Sequence, residues 1–329
     1  MKKRWLSVCL CAMMLVGLLT GCGAGTGKIK FGAAGLGGTY RVFGDTFANL
    51  VAAKNKKYNM EVRTTAGSAA NLRLLSDGYI QMAIAQMDLT NDAYERTGIF
   101  ENEKKNGGYS AVAALYTEAC QIVVKADSGI NTVEDLQDKT VSVGEEESGT
   151  EQNAKQILAA YGLNESLVNE VNLDYSSAAE ELNNGKIDAF FCTAGAQTTV
   201  IGEIAKKCPV RLLNIDEKSA DKLKKSYKFY TDCIIPKETY NGQTEDVHTV
   251  GVKAVLLASD QLSTDTVKDI TKILFKNKQE LQYSLPVDIS LDEKSAVEGV
   301  TIPFHKGAAA YYEECGMDAA ELTTEKGSN

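Results

Sequence analysis

Polar and apolar residues alternate from Lys28 to Gly32 with the period of two that marks a strand. A glycine-rich turn, Gly35-Leu36-Gly37-Gly38-Thr39-Tyr40, follows it. From Arg41 to Ala53 the apolar positions Val42, Phe47, Leu50 and Val51 take helical spacing. The order returns later: Thr140-Val141-Ser142-Val143-Gly144 reads as a strand running into glycine, and Glu145 to Glu151 leads into a helix through Ile157 and Leu158. A second correspondence keeps step. A helical stretch from Asn71, a turn at Gly78 and a strand through Ile84 are matched by Glu180 to Asn184, Gly185 and a strand through Phe191. The offsets are alike, at 112 residues from Gly32 to Gly144, 111 from Gly38 to Gly149 and 107 from Gly78 to Gly185. Helix–glycine–strand is common in α/β proteins, yet similar offsets in the same order predict two α/β lobes of one plan, each with a mostly parallel or mixed sheet. Ser148-x-x-Glu151 and Ser177-x-x-Glu180 have capping-box spacing, and Ser68 and Thr132 are further predicted N-caps.

The N-terminus departs from this pattern. Lys2, Lys3 and Arg4 precede an almost wholly apolar run from Trp5 to Leu19, which at 15 residues is too short to span a bilayer and fits a secretory leader. The run ends Leu19-Thr20-Gly21-Cys22, which resembles a bacterial lipobox; that likeness implies cleavage before Cys22 and acylation of its thiol. Gly23 to Gly27 offers no core-forming side chain and reads as a tether. The expected product is exported and lipid-anchored on the outer face of the cell membrane, in the periplasm where there is an outer membrane.

Composition narrows the chemistry. The 329 residues, 44% apolar and 24% charged, suit two globular domains. The net charge is −9, and removing residues 1–21 leaves 32 basic against 44 acidic residues, or −12; nucleic acid is not an expected partner. Two histidines and no C-x-x-C leave little for a metal site, and neither metal nor cofactor is expected. Cys120, Cys192, Cys208, Cys233 and Cys315 remain beyond Cys22, an odd number, with core packing the ordinary reading of each. His248 lacks a nucleophile motif such as G-x-S-x-G, and His305 precedes a helix where a structural hydrogen bond is expected, so the chain does not read as an enzyme.

Glycine-rich helix starts can hold a carboxylate or phosphate on free N–H groups without any Lys or Arg. Gly35-x-Gly37-Gly38-Thr39-Tyr40, Gly67-Ser68 and Ser148-Gly149-Thr150 are candidate cradles of this kind, or simply turns. Tyr40 stands where G-x-G-x-x-G needs its third glycine, and no G-x-x-x-x-G-K-[ST] occurs, so neither a dinucleotide site nor a P-loop is expected.

Seven short motifs, in order, carry a resemblance. Gly37-Gly38-Thr39-Tyr40, Gly67-Ser68-x-x-Asn71, Gln86-x-Asp88, Leu115-Tyr116-x-Glu118, Asp127-Ser128-Gly129-Ile130, Ser148-Gly149-Thr150-Glu151 and Ile302-Pro303-x-His305-x-Gly307-Ala308 together resemble the TAXI family of TRAP-transporter solute-binding proteins. The resemblance implies a type II periplasmic-binding-protein fold, two α/β lobes joined by hinge strands with a ligand cleft between them. It implies a monomer that hands a small carboxylate or amino acid, glutamate-like, to a TRAP membrane permease. A binding lipoprotein of an ABC importer, or a sensory binding protein, shares the fold and is the alternative.

On that plan residues 1–21 are leader, 22–28 tether, 29–119 and 234–318 the two parts of the first lobe, 120–233 the second lobe and 319–329 a polar tail. The resemblance places Gly37, Gly38, Thr39, Tyr40, Ser68, Asn71, Gln86, Asp88, Tyr116 and Glu118 at the ligand from the first lobe and hinge, and Ser148, Gly149 and Thr150 from the second. Glu118 and Asp88 would hold a ligand ammonium. It also sets the crossings near Ala119–Gln121 and Asp232–Ile234, and so implies a Cys120–Cys233 hinge disulfide. Glu145-Glu146-Glu147 and Gln197 depart from the family pattern, and the three acidic residues make a zwitterion more secure than a dicarboxylate.

Overall fold

The protein is described by a computed structural model over residues 28–287, 289 and 291–324; the leader, Cys22 and the tether to Gly27 lie outside the described residues. Lys28, placed at the end of the tether, opens the first strand. β1 (Lys28–Gly32), α1 (Thr39–Lys54), β2 (Asn59–Arg63), α2 (Ser68–Ser76), β3 (Met82–Gln86) and α3 (Met87–Glu95) form the first α/β run. β4 (Tyr109–Lys125) then carries the chain into the second half. There β5 (Thr140–Ser142), α4 (Gly149–Ala160), β6 (Asn169–Val171), α5 (Tyr175–Asn183) and β7 (Ala189–Ala194) repeat the plan, followed by α6 (Thr199–Lys207), β8 (Val210–Leu212), α7 (Glu217–Ser226) and β9 (Thr231–Ile235). β10 (Val247–Ser259) brings the chain back to α8 (Thr264–Lys276), α9 (Lys278–Tyr283), α10 (Lys306–Glu314) and α11 (Ala319–Thr323).

The strands line up as β2-β1-β3-β10-β4-β7-β5-β6, with β8 on β4 and β9 on β10. β1 pairs in parallel with β2 and β3, and β5 in parallel with β6 and β7, so each half has the same local strand order. The repeat in the sequence is thus a repeat in the sheet. Between the two triplets the long strands β4 and β10 run antiparallel and are shared by both halves. β4 is buried along nearly its whole length on both faces, which its run of alanines and β-branched residues permits.

The cores follow from these faces. In the first half Phe31, Phe43 and Phe47 pack with Ile84, Leu256 and Leu274 in one cluster. In the second, adjacent Phe190 and Phe191 point to opposite faces, as strand geometry requires, and seed separate clusters with Ile201 and with Ile157. Core membership changes along β4 between Tyr116 and Ala119, and along β10 between Val252 and Ala254. The return crossing expected near Asp232–Ile234 therefore falls about twenty residues later. β9 stays in the second half because it pairs antiparallel with the first part of β10, Val247 facing Ile235. The expected polar tail also contributes structure, since Leu322 of α11 is buried and its carbonyl accepts from Phe304 N.

The implied Cys120–Cys233 disulfide is absent, and all five described cysteines are free thiols. Gly251 of β10 faces Ala119 of β4 on one edge and Thr231 of β9 on the other. Cys120 and Cys233 thus belong to two different strands that flank β10 on opposite edges, and both thiols are free. A chain beginning after Cys22, denatured without reductant, is expected to titrate five thiols, unchanged by prior reduction; three would restore the bridge.

Two predicted caps also move. Asp174, not Ser177, caps α5, and Ser68 lies inside α2 with Gly67 as its N-cap. Thr132 caps no helix: its N–H donates to Asp135.

Candidate ligand-binding cleft

Three helices of the first half begin at one place, and none of the three starts has a side-chain cap. α1 starts behind Gly38, α2 behind Gly67 at φ +122°, and α3 behind Gln86. Only glycine adopts the Gly67 backbone without strain. The Ser68 hydroxyl, which sequence spacing made a cap, instead accepts from Gln86 N at 3.1 Å and ties the starts of α2 and α3 together. The first-turn N–H groups of α1 and the positive ends of the helix dipoles thus face the space before them, whereas in α2 Ala70 N is taken by Glu147 O and in α3 the Asp88 carboxyl takes the Leu89 N–H. The opposing half differs. Ser148 Oγ accepts from Glu151 N at 3.0 Å, and the Asp174 carboxylate accepts from Ser176 N and Ser177 N, so α4 and α5 are closed by their own side chains.

These starts surround a cavity of ≈ 40 Å³ walled by both halves. That is about three times the space one water needs, so a solute of several heavy atoms enters only when the halves part. Gly38, Tyr40, Ser68, Gln86 and Glu118 wall it from one side; Glu145, Gly149, Thr150, Asp174 and Tyr175 wall it from the other.

The charges are one-sided. Glu118, Glu145 and Asp174 line the cavity, and among the described residues no Lys, Arg or His does. Glu118 is only 2% exposed. Its Oε2 accepts from Tyr40 OH at 2.8 Å. Burial raises its pKa to about 8, with the nearby Asp88 charge adding to the rise and the Tyr40 hydrogen bond opposing it. Burial likewise raises Asp88 to about 6. Glu145 is raised too, by burial and then by the Asp174 charge. Behind the cavity, Gln86 Nε2 donates to Asn153 Oδ1 at 3.0 Å, and Asn153 Nδ2 donates to Tyr230 OH at 2.9 Å and to Asp88 Oδ2 at 3.4 Å.

Further contacts join the halves across the rim. Ala70 N, in the first turn of α2, donates to Glu147 O at 3.2 Å, and the Glu147 carboxylate reaches Arg73 at 3.1 Å. Arg73 also pairs with Glu103 at 2.9 Å and lies over the Phe100 ring, so it is already ordered when Glu147 arrives. This exposed pair is worth at most about 1 kcal/mol. Glu146 is exposed, so the acidic triplet divides its work: Glu145 lines the cavity and Glu147 bridges the halves.

A model of the NMT1-like family matches residues 31–316. The chain belongs to the NMT1-like family. Solved structures share the fold. The periplasmic binding protein BugD is 12% identical, with 80% of this chain and 88% of that one covered and a TM-score of 0.54. A putative L-cystine ABC transporter protein from Listeria monocytogenes is 16% identical over 80% and 98%, with a TM-score of 0.50. A binding-protein component of an ABC phosphonate transporter from Pseudomonas aeruginosa is 11% identical over 82% and 83%, also at 0.50. The two-lobed α/β fold of the NMT1-like chain is that of periplasmic binding proteins.

In this NMT1-like protein the residues expected at the ligand divide into two groups. Gly38, Thr39, Tyr40, Ser68, Gln86, Glu118, Ser148, Gly149 and Thr150 line the cavity. Gly37, Asn71, Asp88 and Tyr116 do not. Gly37 O accepts from Val200 N at 3.4 Å, outside the cavity. Asn71 is fully buried, and its amide donates to Ala33 O at 2.7 Å and Ile84 O at 2.8 Å, bracing β1 against β3. Asp88 stands behind Asn153, and Tyr116 walls a separate cavity of ≈ 370 Å³ with Lys253 and Val287.

Asp174 and Tyr175 were missed as wall residues. Tyr175 OH contacts Thr150 Oγ1 at 2.5 Å and donates to Thr193 O at 3.0 Å. The signal was there: Asp174 heads α5 at the end of a strand–loop segment, as Gly38 heads α1. Arg41 pairs with Asp45 and Thr64 on the helix surface, away from the cavity. His305 caps α10, its Nδ1 accepting from Gly307 N at 3.0 Å, as expected of a structural histidine.

Proposed function

We propose that this protein is an extracytoplasmic solute-binding protein. It captures a small carboxylate or amino acid by closing two lobes around it, and delivers the solute unaltered to a membrane transporter. The observation that carries the reading is the meeting of three uncapped helix starts from one half with the walls of the other around a small cavity. Such starts bind a carboxylate through N–H groups and dipole. A solute that touches both halves only when they are shut shifts the open–closed equilibrium by its difference in affinity for the two states.

The fold relatives named for cystine and phosphonate ABC transporters support an ABC importer as the partner. The ordered set of TAXI-like motifs supports the second reading, a TRAP permease. Export and lipid anchoring rest on Lys2 to Cys22.

A thermal-shift screen of amino acids and small organic acids tests the function. A solute at 100 times its Kd stabilises the native state by about 2.7 kcal/mol. The expected result is a concentration-dependent rise of several degrees for one chemical class, with the solute recovered intact. A screen in which nothing raises the midpoint, or a sample that converts its solute, would sink the reading.

A further inference from the structure

We infer that the hinge carries a second binding site, in which the Lys253 ammonium and the Thr117 hydroxyl hold the carboxylate of a short aliphatic acid, and that this site is complete only when the two halves meet. It lies outside the cleft and does not draw on the solute-capture reading.

The two long strands give the site its floor. β4 has one exposed position, Thr117, in 17 residues that are otherwise buried or half-buried. From Thr249 to Ser259, β10 is buried everywhere except at Lys253, which is half-buried. The two exceptions face each other in the register of the sheet, so their side chains rise from the same face. Glu118 follows Thr117 and points the other way, towards the cleft. The pair also stands where the chain passes from one core to the other, because Val252 packs in the second half and Ala254 in the first.

Lys253 supplies the charge. Its ammonium donates to Glu298 O at 2.7 Å and, among the described residues, makes no ion pair. Two of its three protons stay available. A lysine drawn out of water is ordinarily matched by a carboxylate, yet among the described residues that line this cavity none is acidic. Thr117 lines it too and adds a hydroxyl donor. One cation and one hydroxyl with no anion between them select a single carboxylate.

The walls select the rest of the molecule. Leu115, Ala196 and Val287 are aliphatic, and the cavity measures ≈ 370 Å³, within the range of small-molecule sites. Gly195 and Ala196 belong to the second half. A Cβ on Gly195 would stand 2.6 Å from Val287 Cγ1 of the first half, so this wall forms only where the halves touch.

The test titrates hexanoate and its uncharged counterpart, hexanamide, into the purified protein by calorimetry. Hexanoate is expected to bind at least about tenfold more tightly than hexanamide, as a charge-assisted contact requires. Lys253→Met is expected to weaken hexanoate by at least about tenfold and Thr117→Val by about threefold, while Lys253→Arg keeps most of the affinity. Gly149→Val, whose side chain would meet Gln86 across the seam and lies outside this cavity, is expected to weaken hexanoate by at least about fivefold, because it keeps the second half from completing the wall.

The hexanamide arm needs no variant and decides the charge requirement even where a substitution fails to fold. Hexanoate that does not bind, binds no better than hexanamide, or binds Lys253→Met as well as wild type would overturn the site; the last result would place the acid in the cleft. Unchanged hexanoate affinity in Gly149→Val would overturn the dependence on closure. None of these results touches solute capture, which stands or falls on the thermal-shift screen.

Discussion

Replacing Gly149 by valine is expected to lower solute affinity at least 100-fold while leaving the ligand-free protein folded. Gly149 is the first residue of α4, in the second half. A Cβ built on it would overlap the Gln86 amide, which belongs to the first half. Gln86 has little freedom to yield, because Asn153 holds its nitrogen at 3.0 Å. The clash exists only when the halves meet; in an open molecule the valine faces solvent. The substitution therefore acts on closure, and a 100-fold loss is about 2.7 kcal/mol withdrawn from the closed state. Calorimetry reads the affinity, and thermal unfolding without solute should stay within about 2 °C of wild type. Unchanged affinity in the valine variant would show that binding does not need Gly149 and Gln86 to approach.

The glycine at this position was legible in the sequence, because Ser148-Gly149-Thr150 stands at the start of a helix and glycine there invites close approach. What the sequence did not show is which atom approaches. Gln86 and Gly149 are 63 positions apart, and their contact depends on how far two separately folded halves rotate about β4 and β10. The same limit explains the misplaced return crossing. Asp232-Cys233-Ile234 and Val252-Lys253-Ala254 are both apolar-flanked strand segments, and local pattern cannot tell which one passes between cores. The choice is made by the pairing of β9 on β10, a contact set by the sheet and not by either segment alone.

The α/β plan itself was readable because it depends on period and on glycine punctuation, both local. The capping of α5 was half readable. Asp174 and Ser177 both suit a helix start, and the structure gives the cap to Asp174, whose carboxylate also accepts from Ser177 Oγ at 2.5 Å.

Asn71 is the position where the sequence and the structure part most sharply, and it yields the largest stability effect. Asn71→Ala is expected to destabilise the protein by about 2–4 kcal/mol, because it removes buried hydrogen bonds and leaves their carbonyl acceptors unsatisfied. The side chain amide donates to Ala33 O, to Ile84 O and, at 3.4 Å, to Gly32 O, so one residue of α2 holds the ends of β1 and β3 in register. Gly32 has no room for a side chain on this account: a Cβ there would stand 2.6 Å from Asn71 Oδ1. At roughly 2–4 °C per kcal/mol for a chain of this order of size, the midpoint should fall by about 4–16 °C. Solute affinity of the folded fraction should change less than threefold, since Asn71 does not line the cavity. The opposite outcome, an unchanged midpoint with affinity lost, is what a ligand contact would produce, and it would return Asn71 to the binding site that its motif suggested. The brace also bears on the cleft, because β1 and β3 lead directly into the turns that open α1 and α3.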